Sequence, residues 1–280
     1  MTITGILSVG ATGIILRAKR PRQEERAVKV LRPDHLDNEV LIKGFAMEAE
    51  ALSNMTSADR NHHVPTYYSA GITSSGLPFI EMELIGGSVL SRGLGTESPI
   101  KDDAAIGALL DVCEALTDLH ASGFTHGDVS PPNIMLEDIG GVPRTVLVDF
   151  GAARHIDDHT QQESATGGLG YVYMPPEQAN GYSAGARTDV FFLGGVLCRL
   201  LYGCGPYPQK EYEEKLAAAR EGKIEIPPPR RKGTRSRTEG RLRNLIKKAT
   251  QATATDRHES PAAFADHLRF AMGYTSSIVL

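Results

Sequence analysis

An aspartate, an asparagine and a second aspartate stand where a phosphoryl-transfer site needs a base and two metal ligands. Asp128 and Asn133 lie within His126-Gly127-Asp128-Val129-Ser130-Pro131-Pro132-Asn133, and Asp149 heads Asp149-Phe150-Gly151. Asp128 can accept a proton from a hydroxyl, while Asn133 and Asp149 offer the hard oxygen donors that suit Mg²⁺. Gly, Asp, Ser, Pro and Asn are also ordinary turn residues, so a polar turn ahead of a hairpin fits the same stretch. The rest of the chain decides between the two.

Three further features could handle phosphate. Ser8-Val9-Gly10-Ala11-Thr12-Gly13-Ile14-Ile15 places two glycines in a turn between β-prone runs, where backbone N–H groups can approach an anion without a Cβ in the way. Alone this is a weak signal, and Ser8 stands where a first glycine would be expected. Sixteen residues after Gly13, Ala27-Val28-Lys29-Val30 sets one lysine among apolar neighbours. Nineteen residues further, Glu48 lies on the inward side of an amphipathic segment and could hold the Lys29 ammonium by a charge-assisted bond. Glu50 competes for that role but points to another helical face.

These residues need a scaffold, and the chain is long enough to build one large domain or two modest lobes. At 41% hydrophobic and 23% charged residues, with a net charge of -4, it reads as globular and without nucleic acid as its main partner. Cys113, Cys198 and Cys204 lack metal-ligand spacing and read as buried thiols in a reducing compartment. The N-terminal run carries no leader pattern, and the richest apolar stretch, 190–202, is too short to span a bilayer and contains Arg199. A soluble, cytoplasmic protein is expected.

Short β-prone runs at 3–7, 14–18 and 27–31 precede an amphipathic helix at 38–55, with Leu41, Phe45, Glu48 and Leu52 on one face. Two more strands flank Ser74-Ser75-Gly76, and Gly86-Gly87 reads as a hinge. Beyond it the pattern is helical: 102–121 with Gly123 as C-cap, then 189–201, 211–221, 241–251 and 261–272, with a small hairpin at 134–136 and 145–148. A β-rich lobe and a helical lobe with a cleft between them is the expected organisation.

Taken in order, the Gly-rich loop, Ala27-Val28-Lys29-Val30, Glu48, Met82-Glu83-Leu84-Ile85, His126-Gly127-Asp128, Asn133 and Asp149-Phe150-Gly151 resemble the eukaryotic-like protein kinase family in its bacterial serine/threonine branch. Tyr173-Met174-Pro175-Pro176-Glu177, Asp189-Val190-Phe191-Phe192-Leu193-Gly194 and Arg257 extend the resemblance over almost the whole chain. It implies an α+β, two-lobed fold: an antiparallel five-stranded sheet with one main helix in an N-lobe of residues 1–84, and a mostly helical C-lobe of residues 85–280. It also implies ATP-dependent phosphorylation of a Ser or Thr hydroxyl of a protein substrate, with Mg²⁺, or Mn²⁺ in its place.

The same resemblance assigns roles. Asp128, Lys29 and Asn133 would be catalytic, and Asn133 and Asp149 would hold the metal. Gly10, Gly13, Ile15, Lys29, Glu48, Glu83 and Ile85 would bind the nucleotide, the Glu83 carbonyl and the Ile85 N–H taking adenine behind Met82. Leu52, His126 and Phe150 would stack between the lobes, Glu177 would pair with Arg257, and Asp189 would brace the catalytic loop. A separate regulatory partner is expected to supply the input. Two rival readings stand beside this one: a nucleotide-binding pseudokinase acting as scaffold, and a small-molecule phosphotransferase. The second of these would lack the segments around Glu177 and Asp189.

Three departures from the family pattern bear on rate and control. Gly127 replaces the arginine that reads a phosphate on the activation loop, so Thr160, Ser164 and Thr166 are not expected to act as an on-switch. Ser130 replaces a lysine that neutralises charge on the transferring phosphoryl group, and Gly170 replaces the threonine that bonds that lysine. A slow or substrate-restricted kinase is expected, unless Arg154 fills the gap. The basic run Arg230, Arg231, Lys232, Arg235 and Arg237 reads as a solvated loop, with a docking patch for an acidic partner as the minor alternative.

Overall fold

Alternating apolar residues in the first part of the chain pair into one antiparallel sheet. The strands are β1 (Thr2–Val9), β2 (Gly13–Lys19), β3 (Arg26–Leu31), β4 (Tyr67–Ile72) and β5 (Pro78–Glu83), in the order β1-β2-β3-β5-β4. The computed structural model describes residues 1–57, 62–93, 102–158, 173–209, 211–226 and 236–274. Register sets Lys29 opposite Ile80 and Ala27 opposite Met82, so Lys29 shares the face of Ala27 and Leu31, while Val28 and Val30 face the other way. On that other face Glu81 is buried and takes Arg20 at 2.7 Å, Arg26 at 2.9 Å and the Ser69 hydroxyl at 3.0 Å. β1 is an exposed edge strand.

Helix α1 (Glu39–Ser57) crosses between β3 and β4, and the Asn38 side chain caps it by accepting from the Val40 and Leu41 amides at 3.1 Å each. Its buried positions Phe45, Glu48, Leu52 and Met55 recur at three- and four-residue spacing and face the sheet and helix α2 (Asp102–Ala121). Between them lie the short β6 (Ser88–Val89), which pairs with β8 (Ile134–Ile139), and β8 in turn pairs with β9 (Val142–Leu147). β7 (Phe124–Thr125) pairs with β10 (Arg154–His155).

The remaining helices form the second body: α3 (Pro176–Ala179), α4 (Ala186–Tyr202), α5 (Tyr212–Arg220), α6 (Ser236–Ala249) and α7 (Pro261–Met272). α4 is buried without a break from Thr188 to Cys198 because α2, α6 and α7 surround it. Gly203 ends it at φ 76, and α7 opens with Ser260 accepting from Ala263 N at 3.1 Å before Pro261. Ile106, Leu109, Cys113 and Leu116 of α2 join Leu193, Leu197, Leu245, Ile246, Phe264 and Leu268 in one core.

Gly87 lies tight against β8. A Cβ there would sit 1.9 Å from the Leu136 carbonyl oxygen, so glycine lets the connection pass flat against β8. Helix α6 begins five residues before the expected 241–251 span, because its first turn has no apolar residue to carry the periodic signal. No helix among the described residues is long and apolar enough to cross a membrane. Cys113 and Cys198 are buried, Cys204 is half-buried, and all are free thiols. Thr160, Ser164, Thr166 and Gly170, and the basic residues 230–235, lie outside the described residues; the side chain of Arg237 does too.

Candidate active site

Sheet, α1 and the β7-to-β9 region enclose a cleft with a cavity of about 440 Å³. Its walls include Gly10, Gly13, Ile15, Lys29, Glu48, Asp128, Ser130, Asn133 and Asp149. The phosphate-end residues expected from sequence therefore meet in one place. Glu83 and Ile85 do not line this cavity; they sit at the end of β5 and in the connection that follows.

Lys29 projects from β3 and is almost wholly buried, 5% exposed. Its Nζ lies 2.7 Å from each Glu48 carboxylate oxygen and 2.8 Å from Asp149 Oδ1. Burial works against the ammonium, but the two carboxylates outweigh it and hold its pKa above the usual lysine range. Asp149, for its part, is held below the usual carboxylate range, chiefly by the Lys29 charge. Asp149 adopts a left-handed φ of 63, a conformation that Asp reaches more readily than most residues. Glu50, in contrast, is exposed and only loosely near His155 at 3.8 Å.

Across the cleft, the Asn133 amide donates to the Asp128 backbone carbonyl at 2.9 Å and to its Oδ2 at 3.1 Å. Burial, reinforced by the nearby negative charge of Asp149, pushes the Asp128 carboxyl up to about 7, against the pull of the Asn133 bond. Because Asn133 spends its N–H groups on Asp128, its carbonyl oxygen is left to serve as a ligand.

The loop carrying Asp128 is held from below by Asp189. This fully buried residue of α4 accepts from the His126 N–H at 2.9 Å, the Gly127 N–H at 2.8 Å and His120 Nε2 at 2.7 Å. Burial raises its pKa, yet these bonds and charges prevail and its carboxyl lies low. His126 accepts from Asp128 N at Nδ1, 3.3 Å, and its Nε2 meets the Val148 carbonyl at 3.3 Å. One neutral tautomer makes both bonds, and burial keeps the ring neutral. The His126 and Phe150 rings lie 4.9 Å apart, and Phe150 belongs to the core that also holds Leu52.

Gly127 has φ 74, and a Cβ on it would come 2.8 Å from the Ala152 carbonyl oxygen. A side chain here would be strained on both counts. Ser130 is buried at 6% exposure and lines the cleft with its short hydroxyl. Arg154 also lines the cleft; its Nη1 donates to the Ala153 carbonyl at 2.6 Å, and burial lowers its pKa.

Glu177 and Arg257 form a bidentate pair at 2.6 and 2.7 Å. Thr188 adds a hydroxyl to Glu177 at 2.9 Å, and Arg257 also donates to the Gln251, Ala252 and Arg187 carbonyls. Three residues that sequence reasoning passed over also matter. Arg144 reaches Glu83 and Glu137, Glu137 accepts from Gly86 N at 2.7 Å, and Gln178 donates to the Gly127 carbonyl at 3.1 Å.

A five-stranded sheet with one crossing helix, set on a helical body with a cleft between, is the two-lobed kinase architecture. Consistently, residues 1–268 match the protein kinase domain, and the chain belongs to that family. It is 32% identical over 281 aligned residues to serine/threonine-protein kinase pkn3 of Myxococcus xanthus, covering 95% of this chain and 49% of the relative. Similarity to serine/threonine-protein kinase Pkn1 of the same organism is 32% over 248 residues, 88% of this chain and 34% of the relative. PknB of Mycobacterium leprae is 38% identical over 186 residues, 65% of this chain and 29% of the relative. The chain thus spans about half the length of pkn3 and about a third of the other two.

Proposed function

We propose that this chain transfers the γ-phosphoryl group of ATP to a Ser or Thr hydroxyl of a protein. The observation that carries the reading is the Lys29 ammonium, bonded to Glu48 and Asp149 together, facing the Asp128–Asn133 pair across one cleft. Lys29, fixed by Glu48, is placed to bind nucleotide phosphates, and the Gly10–Gly13 turn to cover them. Asp128 orients the acceptor hydroxyl and takes its proton; a carboxyl poised near 7 is matched to that task. The Glu83 carbonyl and Ile85 N–H are assigned to adenine.

Asp149 and the Asn133 carbonyl would hold Mg²⁺, with Mn²⁺ as a substitute. One carboxylate and one amide fit an ion that completes its shell with phosphate oxygens and water. When bound, that ion supplies charge neutralisation on the phosphates.

Ser130 leaves the transferring group without the usual lysine, which supports slow or substrate-restricted turnover. Gly127 supports activity that does not wait for loop phosphorylation. The Glu177–Arg257 and Asp189 arrangements favour a protein acceptor over a small molecule. A protein substrate, a separate regulatory partner and a cytoplasmic setting complete the proposal, the free thiols fitting a reducing compartment.

The test is incubation with labelled ATP and Mg²⁺, with Asp128→Ala and Lys29→Ala alongside. Transfer of label to protein that both substitutions abolish is expected. Nucleotide binding by the wild type without any transfer would identify a pseudokinase instead.

A further inference from the structure

We propose that Gln178 is a positioning residue for Asp128, tying helix α3 to the peptide that aims the catalytic carboxylate. The proposal rests on Asp128 being the base. It starts from the backbone bonds of the loop. The His126 and Gly127 N–H groups go to Asp189, the Asp128 N–H goes to His126, and the Asp128 carbonyl takes Asn133. The Gly127 carbonyl takes Gln178 Nε2 at 3.1 Å, from a residue 51 positions away. Asp189 therefore holds the amide end of Gly127 from one side, and Gln178 holds its carbonyl end from the other.

That second hold matters because residue 127 is glycine. At φ 74 it has no side chain to restrict rotation of the peptide that follows, and that peptide carries Asp128. A hydrogen bond to its carbonyl replaces the missing steric restraint. Gln178 is well anchored for this work: it follows Glu177 in α3, and Glu177 is fixed by Arg257 and Thr188. It also lines the cleft beside Met174, Tyr182 and Ala184, which lie on either side of α3 in the chain. Displacing α3 would act on Asp128 through the Gln178 side-chain bond.

The experiment uses the full chain, labelled ATP with Mg²⁺, and dephosphorylated casein as acceptor. Gln178→Met keeps length without a donor, Gln178→Glu turns an acceptor towards the carbonyl, and Gln178→Lys keeps a donor. In the Met and Glu variants kcat is expected to fall on the order of tenfold, as misplacement of a reacting group does. The KM for ATP and the Tm should stay at wild-type values, and Gln178→Lys should recover most of the rate. Amide exchange in the 126–130 peptide, read without any acceptor, should quicken in Gln178→Met and not in Gln178→Lys. Wild-type kcat or unchanged exchange in Gln178→Met overturns the proposal, as does a fall in kcat and Tm together in all three variants. Asp128→Ala separates the layers: if it transfers label as fast as wild type, the base assignment fails and takes this proposal with it. If it is inactive while Gln178→Met turns over at the wild-type rate, only the Gln178 role is lost.

Discussion

Arg144 forks onto the carboxylate of Glu83, with Nη1 2.5 Å from Oε1 and Nη2 3.1 Å from Oε2. The same guanidinium donates to the His62 carbonyl at 2.7 Å and reaches Glu137 at 3.2 Å, while Glu83 also accepts from the Thr66 N–H and hydroxyl. One hairpin arginine thus fastens β9 to the end of β5 and to the turn before β4. Both side chains are mostly buried, so Arg144→Ala should cost roughly 2 kcal/mol, between exposed and buried ion pairs. Denaturant unfolding checks the magnitude, and faster amide exchange at residues 62–66 and 83–86 checks the location.

The same pair has a pH signature. Burial pushes the Glu83 carboxyl up, but Arg144 and the Thr66 bonds more than offset it and leave the pKa below its usual value. A depressed folded pKa contributes stability that is present above the unfolded value of about 4.3 and is lost as pH falls through the folded one. The stability difference between wild type and Glu83→Gln should therefore shrink on acidification below about 4. A difference that stays constant from neutral to acid pH would contradict the assignment.

Asp128 behaves in the opposite sense. Its raised pKa, about 7, means the ionised form is disfavoured by folding, so the cost is present above that pH and absent well below it. Asp128→Asn should raise the Tm at pH 8 while leaving it unchanged at pH 4. In the metal-free protein, carboxyl NMR should show Asp128 titrating near neutrality, and Asp149→Asn should lower that value by removing a negative neighbour.

Gly127→Ala brings a Cβ within 2.8 Å of the Ala152 carbonyl oxygen on a backbone at φ 74. The expected loss is at least about 1 kcal/mol of stability, with a larger loss of phosphoryl transfer. A Gly127→Ala protein with wild-type Tm and rate would show that the loop relaxes freely.

Ser130→Lys combined with Gly170→Thr should raise transfer to a basic protein substrate, on the order of tenfold, by restoring a cation near the transferring group. Turnover at the wild-type level would indicate that another residue already supplies that charge.

Much of the fold and site was legible because their signals are local. Periodic apolar residues marked α1, α2 and α7, and the choice of Glu48 over Glu50 followed from helical spacing alone. Asp128, Asn133 and Asp149 were legible as residue types at fixed separations. Arg144 and Gln178 were not, since their partners other than the nearby Glu137 lie 51 to 82 residues away and neither stands in a pattern that distinguishes it from a surface residue. Gly86-Gly87 reads as a hinge, and the close passage of β8 that also calls for glycine at 87 is a tertiary fact that composition does not carry.

The bonds around Lys29 also bear on which form of nucleotide the proposed site would favour. One ammonium faces two carboxylates, Glu48 and Asp149, so negative charge outnumbers positive around Lys29 itself, with Asp128 and Arg154 further along the wall. A bare polyphosphate would meet repulsion there, whereas one already complexed to a divalent cation brings the counter-charge that Asp149 lacks. On the proposed function, selection for the complexed nucleotide would act as electrostatic gating at entry, ahead of any chemistry.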